Sequence, residues 1–112
     1  MINKNDKIAV TTIAYGGYGR FIPKIIECIE NQDIKPDEVI IVISENHKAK
    51  IPESSINFKI VHEPKRLSMG RLRNIAKDEA ELEWIFYCDI DDIIMPNAIK
   101  EIREVIDKNT GA

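Results

Sequence analysis

The chain has 112 residues, room for one domain but not for two. With 44% hydrophobic and 31% charged residues it is too apolar to be disordered. Sixteen Lys and Arg against nineteen Asp and Glu leave a net charge of −3 and no basic block. That excludes general nucleic-acid binding by counterion release. No apolar run approaches the roughly 18 residues of a membrane span, and Met1–Lys7 is too polar to open a secretory signal. Cys28 and Cys88 both lie in apolar surroundings, so we expect two buried thiols, no disulfide or zinc site, and a reducing compartment. The expected location is the cytoplasm, with the inner face of the membrane as a further option.

Elements alternate along the chain. Ile8–Ile13 is a β-branched run that ends in Tyr15-Gly16-Gly17-Tyr18-Gly19, expected to be a flexible loop. Ile22, Ile25, Ile26 and Ile29 follow helical spacing. Pro36-Asp37 breaks the chain before Val39–Ile43, a continuous apolar run suited to a strand buried on both faces. Residues 46–57 read as a polar loop, and Phe58–Val61 as a third strand. Ser68 is a candidate N-cap for a helix whose apolar face is Met69, Leu72, Ile75, Ala76 and Ala80. Trp84–Cys88 reads as a fourth, central strand, with Trp84 and Met69 in the core. Pro96 suits the first turn of a last helix with Ile99, Ile102, Val105 and Ile106 as its buried stripe.

Strands separated by helices predict an α/β fold, a Rossmann-like, mainly parallel sheet with helices on both faces. Ligands of such sheets bind beyond the carboxyl ends of the strands. The loops after Ile13, Ile43, Val61 and Cys88 should therefore meet at one edge.

The sharpest signal is Asp89-Ile90-Asp91-Asp92 directly after the fourth strand. If the backbone stays extended, Asp89 and Asp91 project to one side. Two like charges about 5 Å apart repel by roughly 3 kcal/mol at an effective dielectric near 20. A hard divalent cation, completed by waters and phosphate oxygens, relieves that repulsion. Solvated turn formers leading into the Pro96 helix are the plainer alternative. Lys65, Arg66, Arg71 and Arg73 cluster near a helix N-terminus, where they either hold a diphosphate or cover an outer helix face. The glycine loop fails the G-x-G-x-x-G pattern, because Ile22 stands at its third glycine. It still permits close backbone approach, with Tyr15 as a stacking or ribose-facing ring. Ser44-Glu45-Asn46 is placed to touch a base or ribose, and His62 reads as a surface residue.

Three local matches give this order of elements a resemblance to the N-terminal, nucleotide-sugar-binding half of family 2 glycosyltransferases, which have the GT-A fold. They are Val39-Ile40-Ile41-Val42 after Pro36-Asp37-Glu38, Leu72-Arg73-Asn74, and Trp84–Cys88 followed by Asp89-Ile90-Asp91-Asp92 and Pro96. The resemblance spans about residues 7–108. It implies a nucleotide-diphosphate-sugar donor, a glycan or other hydroxyl acceptor, and Mn²⁺ or Mg²⁺. By the same analogy Asp91 would ligate the metal and Asp89 would meet the ribose or sugar. Arg73 would steady that region or the donor, and Ala14 and Tyr15 would lie along the nucleotide. The reaction implied is attack of the acceptor hydroxyl on the anomeric carbon as the diphosphate leaves.

Two departures stand out. Where the family carries an Asp-rich stretch, Ile43-Ser44-Glu45 stands here, and Gly16 follows Tyr15 where Asn is common. The family continues into an acceptor-binding half that supplies the general base, so the resemblance implies a first half with little transfer of its own. An uncovered sheet edge in such a half favours self-association. The rivals are a non-catalytic nucleotide-binding module and a haloacid-dehalogenase-like phosphatase, which also carries D-x-D but needs Gly and Thr where Asp92 and Ile93 stand. A response-regulator receiver would need an acidic pair where Thr11-Thr12 stand.

Overall fold

A computed structural model describes residues 7–45, 51–56, 58–80, 82, 84–91 and 94–110. Its strands are β1 (Ile8–Ala14), β2 (Glu38–Ser44), β3 (Phe58–Glu63) and β4 (Trp84–Tyr87); its helices are α1 (Ile22–Glu30), α2 (Met69–Glu79) and α3 (Ala98–Thr110). The strands form one sheet in the order β3-β2-β1-β4, with every pair parallel. The chain steps outward from β1 to β3 and then returns to the other side of β1. The strand order thus reverses between β1 and β4, the place where an open α/β sheet leaves a crevice.

β1 and β2 are buried on both faces, which is why they read as nearly unbroken apolar runs. One face of the sheet packs Ile8, Val10, Ala14, Val39, Ile41 and Ile43 against α1 and α3. The other packs Ile13, Ile40 and Val42 against Leu72 and Ala76 of α2. Each fully buried Ile contributes about 1.5–3 kcal/mol relative to an exposed one. The expected α/β architecture with helices on both faces is what forms.

Several details differ from the sequence reading. β4 lies at the edge of the sheet, so Trp84 and Tyr87 are 36% and 46% exposed rather than central. The glycine segment forms a 3₁₀ helix over Gly16–Phe21 that runs into α1, with Tyr18 N–H bonded to the Tyr15 carbonyl at 3.0 Å. β3 extends two residues further, through His62 and Glu63, because its ladder with β2 continues to Ser44. Pro96 stands in the turn before α3, not in its first turn. Val105 is 57% exposed, and Arg103 takes the inward place. At ~100° per residue Arg103 follows Ile99 by about 40° on the helix wheel, whereas Val105 lies about 120° from it. Cys28 is buried as expected, but Cys88 is only half-buried. No helix among the described residues is long and apolar enough to cross a membrane.

Two polar residues fasten α3. Asp37 accepts the Ile8 N–H at 2.8 Å and Arg103 Nη2 at 3.0 Å, tying the starts of β1 and β2 to the helix. Gln32, 3% exposed, donates to the Met95 carbonyl at 2.8 Å and the Cys28 carbonyl at 3.2 Å. Its Oε1 accepts the Ile99 N–H at 3.2 Å, one of the helix-start donors that α3 cannot satisfy itself. Gln32→Ala orphans that buried N–H, so urea denaturation should show a loss of about 1–3 kcal/mol.

Candidate functional site

The carboxyl ends of β1 and β4 open onto a cavity of about 540 Å³. The residues on its wall include Thr11, Tyr15, Tyr18, Met69, Arg73, Tyr87, Cys88, Asp89 and Asp91. Thr11 pairs with Tyr87 in the parallel register, so both present the same face of the sheet. That is the α2 face, as the burial of Ile13 against Leu72 and Ala76 shows. Because α2 packs on β1 and β2, the strip in front of β4 stays open, and the cavity occupies it.

Each charged group has a local reason for its position. The β1–β4 ladder continues one residue past β4, with the Cys88 N–H donating to the Thr11 carbonyl at 3.0 Å. The chain then turns at Ile90 and Asp91 instead of staying extended. Ile90 is buried and anchors the turn in the core, while Asp89 and Asp91 on either side of it are exposed and line the same cavity. Both aspartates thus reach the same cavity from either side of a buried isoleucine. Asp92 lies outside the described residues.

Arg73 faces them from α2. Ser68 begins that helix as its N-cap, accepting the Arg71 N–H at 3.3 Å. Met69 and Arg73, one turn apart, then share a helix face and the cavity wall. The wall carries two negative charges and one positive charge, a surplus suited to a cation. Thr11 and Thr12 also line it, and their buried hydroxyls find no hydrogen-bond partner among the described residues.

A second cavity of about 540 Å³ adjoins the first and shares Tyr15 and Met69 with it. Its other walls are Ser44, Glu45, Arg66, Leu67 and Leu72. Glu45 has φ of +65°, unusual for a residue with a side chain. Its N–H donates to the Glu63 carbonyl at 2.7 Å, and its carboxylate pairs with Arg66 Nε at 3.6 Å. Tyr15 stands between the cavities, its ring centroid 4.9 Å from that of Tyr18.

Of the residues singled out in the sequence, Tyr15, Arg73, Asp89 and Asp91 meet at the first cavity, and Ser44 and Glu45 at the second. Ala14 is buried in the core and lines neither. Asn46 lies outside the described residues. Tyr87 and Thr11 were missed as wall residues, although Tyr87 stands two before Asp89 and alternation along a strand would have found it.

The chain matches the family described as Glycosyl transferase family 2 over residues 9–112. It is 26% identical over 90 residues to an uncharacterized glycosyltransferase of Haemophilus influenzae, a match covering 79% of this chain and 31% of that protein. Its fold is similar to that of S. aureus TarS 1-349, with a TM-score of 0.70 and 21% identity over 91% of this chain and 32% of that one. A TarS 1-349 structure in complex with UDP is similar at a TM-score of 0.65 and the same identity. The chain spans about a third of the length of these relatives. Neither a phosphatase nor a receiver accounts for a match of this extent, and the chain belongs to glycosyl transferase family 2.

Proposed function

We propose that this chain forms the donor site of a glycosyltransferase that moves a sugar from a nucleotide diphosphate to an acceptor hydroxyl. The observation that carries this reading is the meeting of Asp89, Asp91 and Arg73 on one cavity at the reversal of strand order, in a family 2 chain. The UDP held by a structural relative supports a nucleoside diphosphate as the ligand.

The site's donor set fits a hard divalent cation, since both carboxylates supply oxygen and line one cavity. Asp91, with Asp89 beside it, would hold Mn²⁺ or Mg²⁺. The ion would supply charge neutralisation for the departing diphosphate. Asp89 meets the ribose or the sugar, and Arg73 places a guanidinium against the phosphates or the acidic turn. Tyr15 flanks the nucleoside, and Ser44 and Glu45 bound its far end; Ala14, buried in the core, has no contact with it. In the transfer the acceptor oxygen bonds to the anomeric carbon, the bond to the diphosphate oxygen breaks, and the acceptor proton passes to a base. The cytoplasm, where such thiols stay reduced, is the compartment we assign.

Titration calorimetry with UDP, GDP and their sugars, with and without Mn²⁺, tests the site. Asp91→Ala should cost at least about tenfold in affinity with Mn²⁺ and change little in EDTA, consistent with loss of a charged ligand. Equal binding by both proteins in Mn²⁺ would overturn the assignment.

The second partner we propose is another copy of the chain. Among the described residues β4 pairs on one side only, and a groove of about 480 Å³ whose wall mixes Phe86, Ile94 and Met95 with Asn97 and Glu101 adjoins it. A copy's β4 offers the same edge, so two can pair about a twofold axis. Sedimentation velocity from micromolar to millimolar protein should reveal a growing dimer boundary; a monomer throughout would refute it.

A further inference from the structure

Thr11 is out of keeping with its surroundings. β1 is buried on both faces and, apart from Thr11 and Thr12, wholly apolar. The Thr11 hydroxyl is buried and finds no hydrogen-bond partner among the described residues. An unpaired buried hydroxyl costs free energy that valine, of the same shape, would not. Native folds rarely keep such a group without a use for it. Thr11 also lines the first cavity, on the face of the sheet that it shares with Tyr87. The Thr12 hydroxyl is unpaired as well, but alternation sends its side chain to the other face, with Val10 and Ala14.

We infer that the Thr11 hydroxyl reads a hydroxyl of the transferred sugar, the one at C4 of a pyranose ring. This rests on the reading that Asp89 and Asp91 hold the diphosphate through a cation. Asp89 stands two residues past Tyr87, the strand partner of Thr11, so the acidic turn lies roughly 6–7 Å further along the strand direction. One sugar ring bridges a gap of that size. A pyranose joined to the diphosphate at its anomeric carbon has C4 at the opposite corner, so a ring that enters the cavity from the acidic turn leads with its C4 hydroxyl. Tyr87, well exposed, and Met69 lie on the same wall and offer apolar surface to the C–H faces of the ring.

Two features suit Thr11 to this work. Its backbone is held on both sides, in the ladders with Ile40 and Tyr87, and its carbonyl accepts the Cys88 N–H at 3.0 Å. Its side chain carries a hydroxyl and a methyl on one carbon. The hydroxyl is shielded from water, and a rotation about χ1 exchanges it with the methyl without any shift of the backbone. A donor and acceptor on so fixed a point discriminates direction. Equatorial and axial C4 hydroxyls leave the ring along different lines, so one of the two epimers meets Thr11 and the other leaves both hydroxyls unpaired.

The experiment is titration calorimetry in Mn²⁺ with C4 epimers: UDP-glucose against UDP-galactose, the matching N-acetylhexosamine pair and the guanosine counterparts, with free UDP and GDP alongside. The wild-type protein should favour one member of at least one pair by about tenfold, as one hydrogen bond is made or lost. Thr11→Val keeps the shape and removes the hydroxyl. It should bring that ratio near unity, leave affinity for the free diphosphate unchanged and melt no lower than the wild type. Thr11→Ser keeps the hydroxyl and should keep the preference. A hydroxyl retained for the fold alone would behave in the opposite way, with Thr11→Val lowering the melting temperature and leaving the ratio as it was. That result, or equal binding of every pair by the wild type, overturns the sugar-reading role and leaves the donor site standing. Failure to bind any nucleoside diphosphate overturns both.

Discussion

The site depends on one strand having neighbours on both sides. β1 pairs with β2 along one edge and with β4 along the other, and its own faces are buried under helices. Every group that could meet a ligand is placed relative to the point where that strand stops. Tyr15 leaves its end, the Cys88 N–H bonds back to its Thr11 carbonyl, and Glu45 follows the strand beside it. Backbone ladders are the most exacting positioning device a fold has, because a slip of one residue would send each side chain to the opposite face.

Charge is distributed unevenly around that point. The carboxylates of Asp89 and Asp91 face one cavity with Arg73 opposite, while Glu45 and Arg66 balance each other in the next. Two adjoining cavities at one end of the sheet thus differ in electrostatic character, the first with a surplus of negative charge and the second with an acid and a base paired.

Much of this was legible in the residues because burial imposes periodicity. The runs Ile8–Ile13 and Val39–Ile43 declare strands, the second covered on both faces, and Leu72 with Ala76 declares the inward side of α2. The acidic turn was legible because three carboxylates gathered directly after an apolar run repel one another, although solvated turn formers would read the same way. What stayed hidden depends on contacts between distant segments. Trp84 looks like a core residue until strand order puts it at an edge. Val105 loses its expected place because Asp37, 66 residues earlier, draws Arg103 inward. The pairing of Glu45 with Arg66 needs two loops brought together by β2 and β3, and no local pattern announces it.

Gln32 and Asp33 have a bearing on the acidic turn that their distance from it conceals. The stretch that carries Asp89 and Asp91 leaves the sheet at the Cys88–Thr11 bond and is caught again where Gln32 and the Asp33 N–H hold the carbonyls of Met95 and Pro96. Ile90 and Ile94 are sunk in the core between those clamps. The acidic turn is thus flanked by anchored residues on both sides, to β1 before it and to the end of α1 after it. This arrangement also makes the C-terminal tip of α1 a remote handle on the two carboxylates of the cavity wall, through which a disturbance on the opposite side of the sheet would be felt.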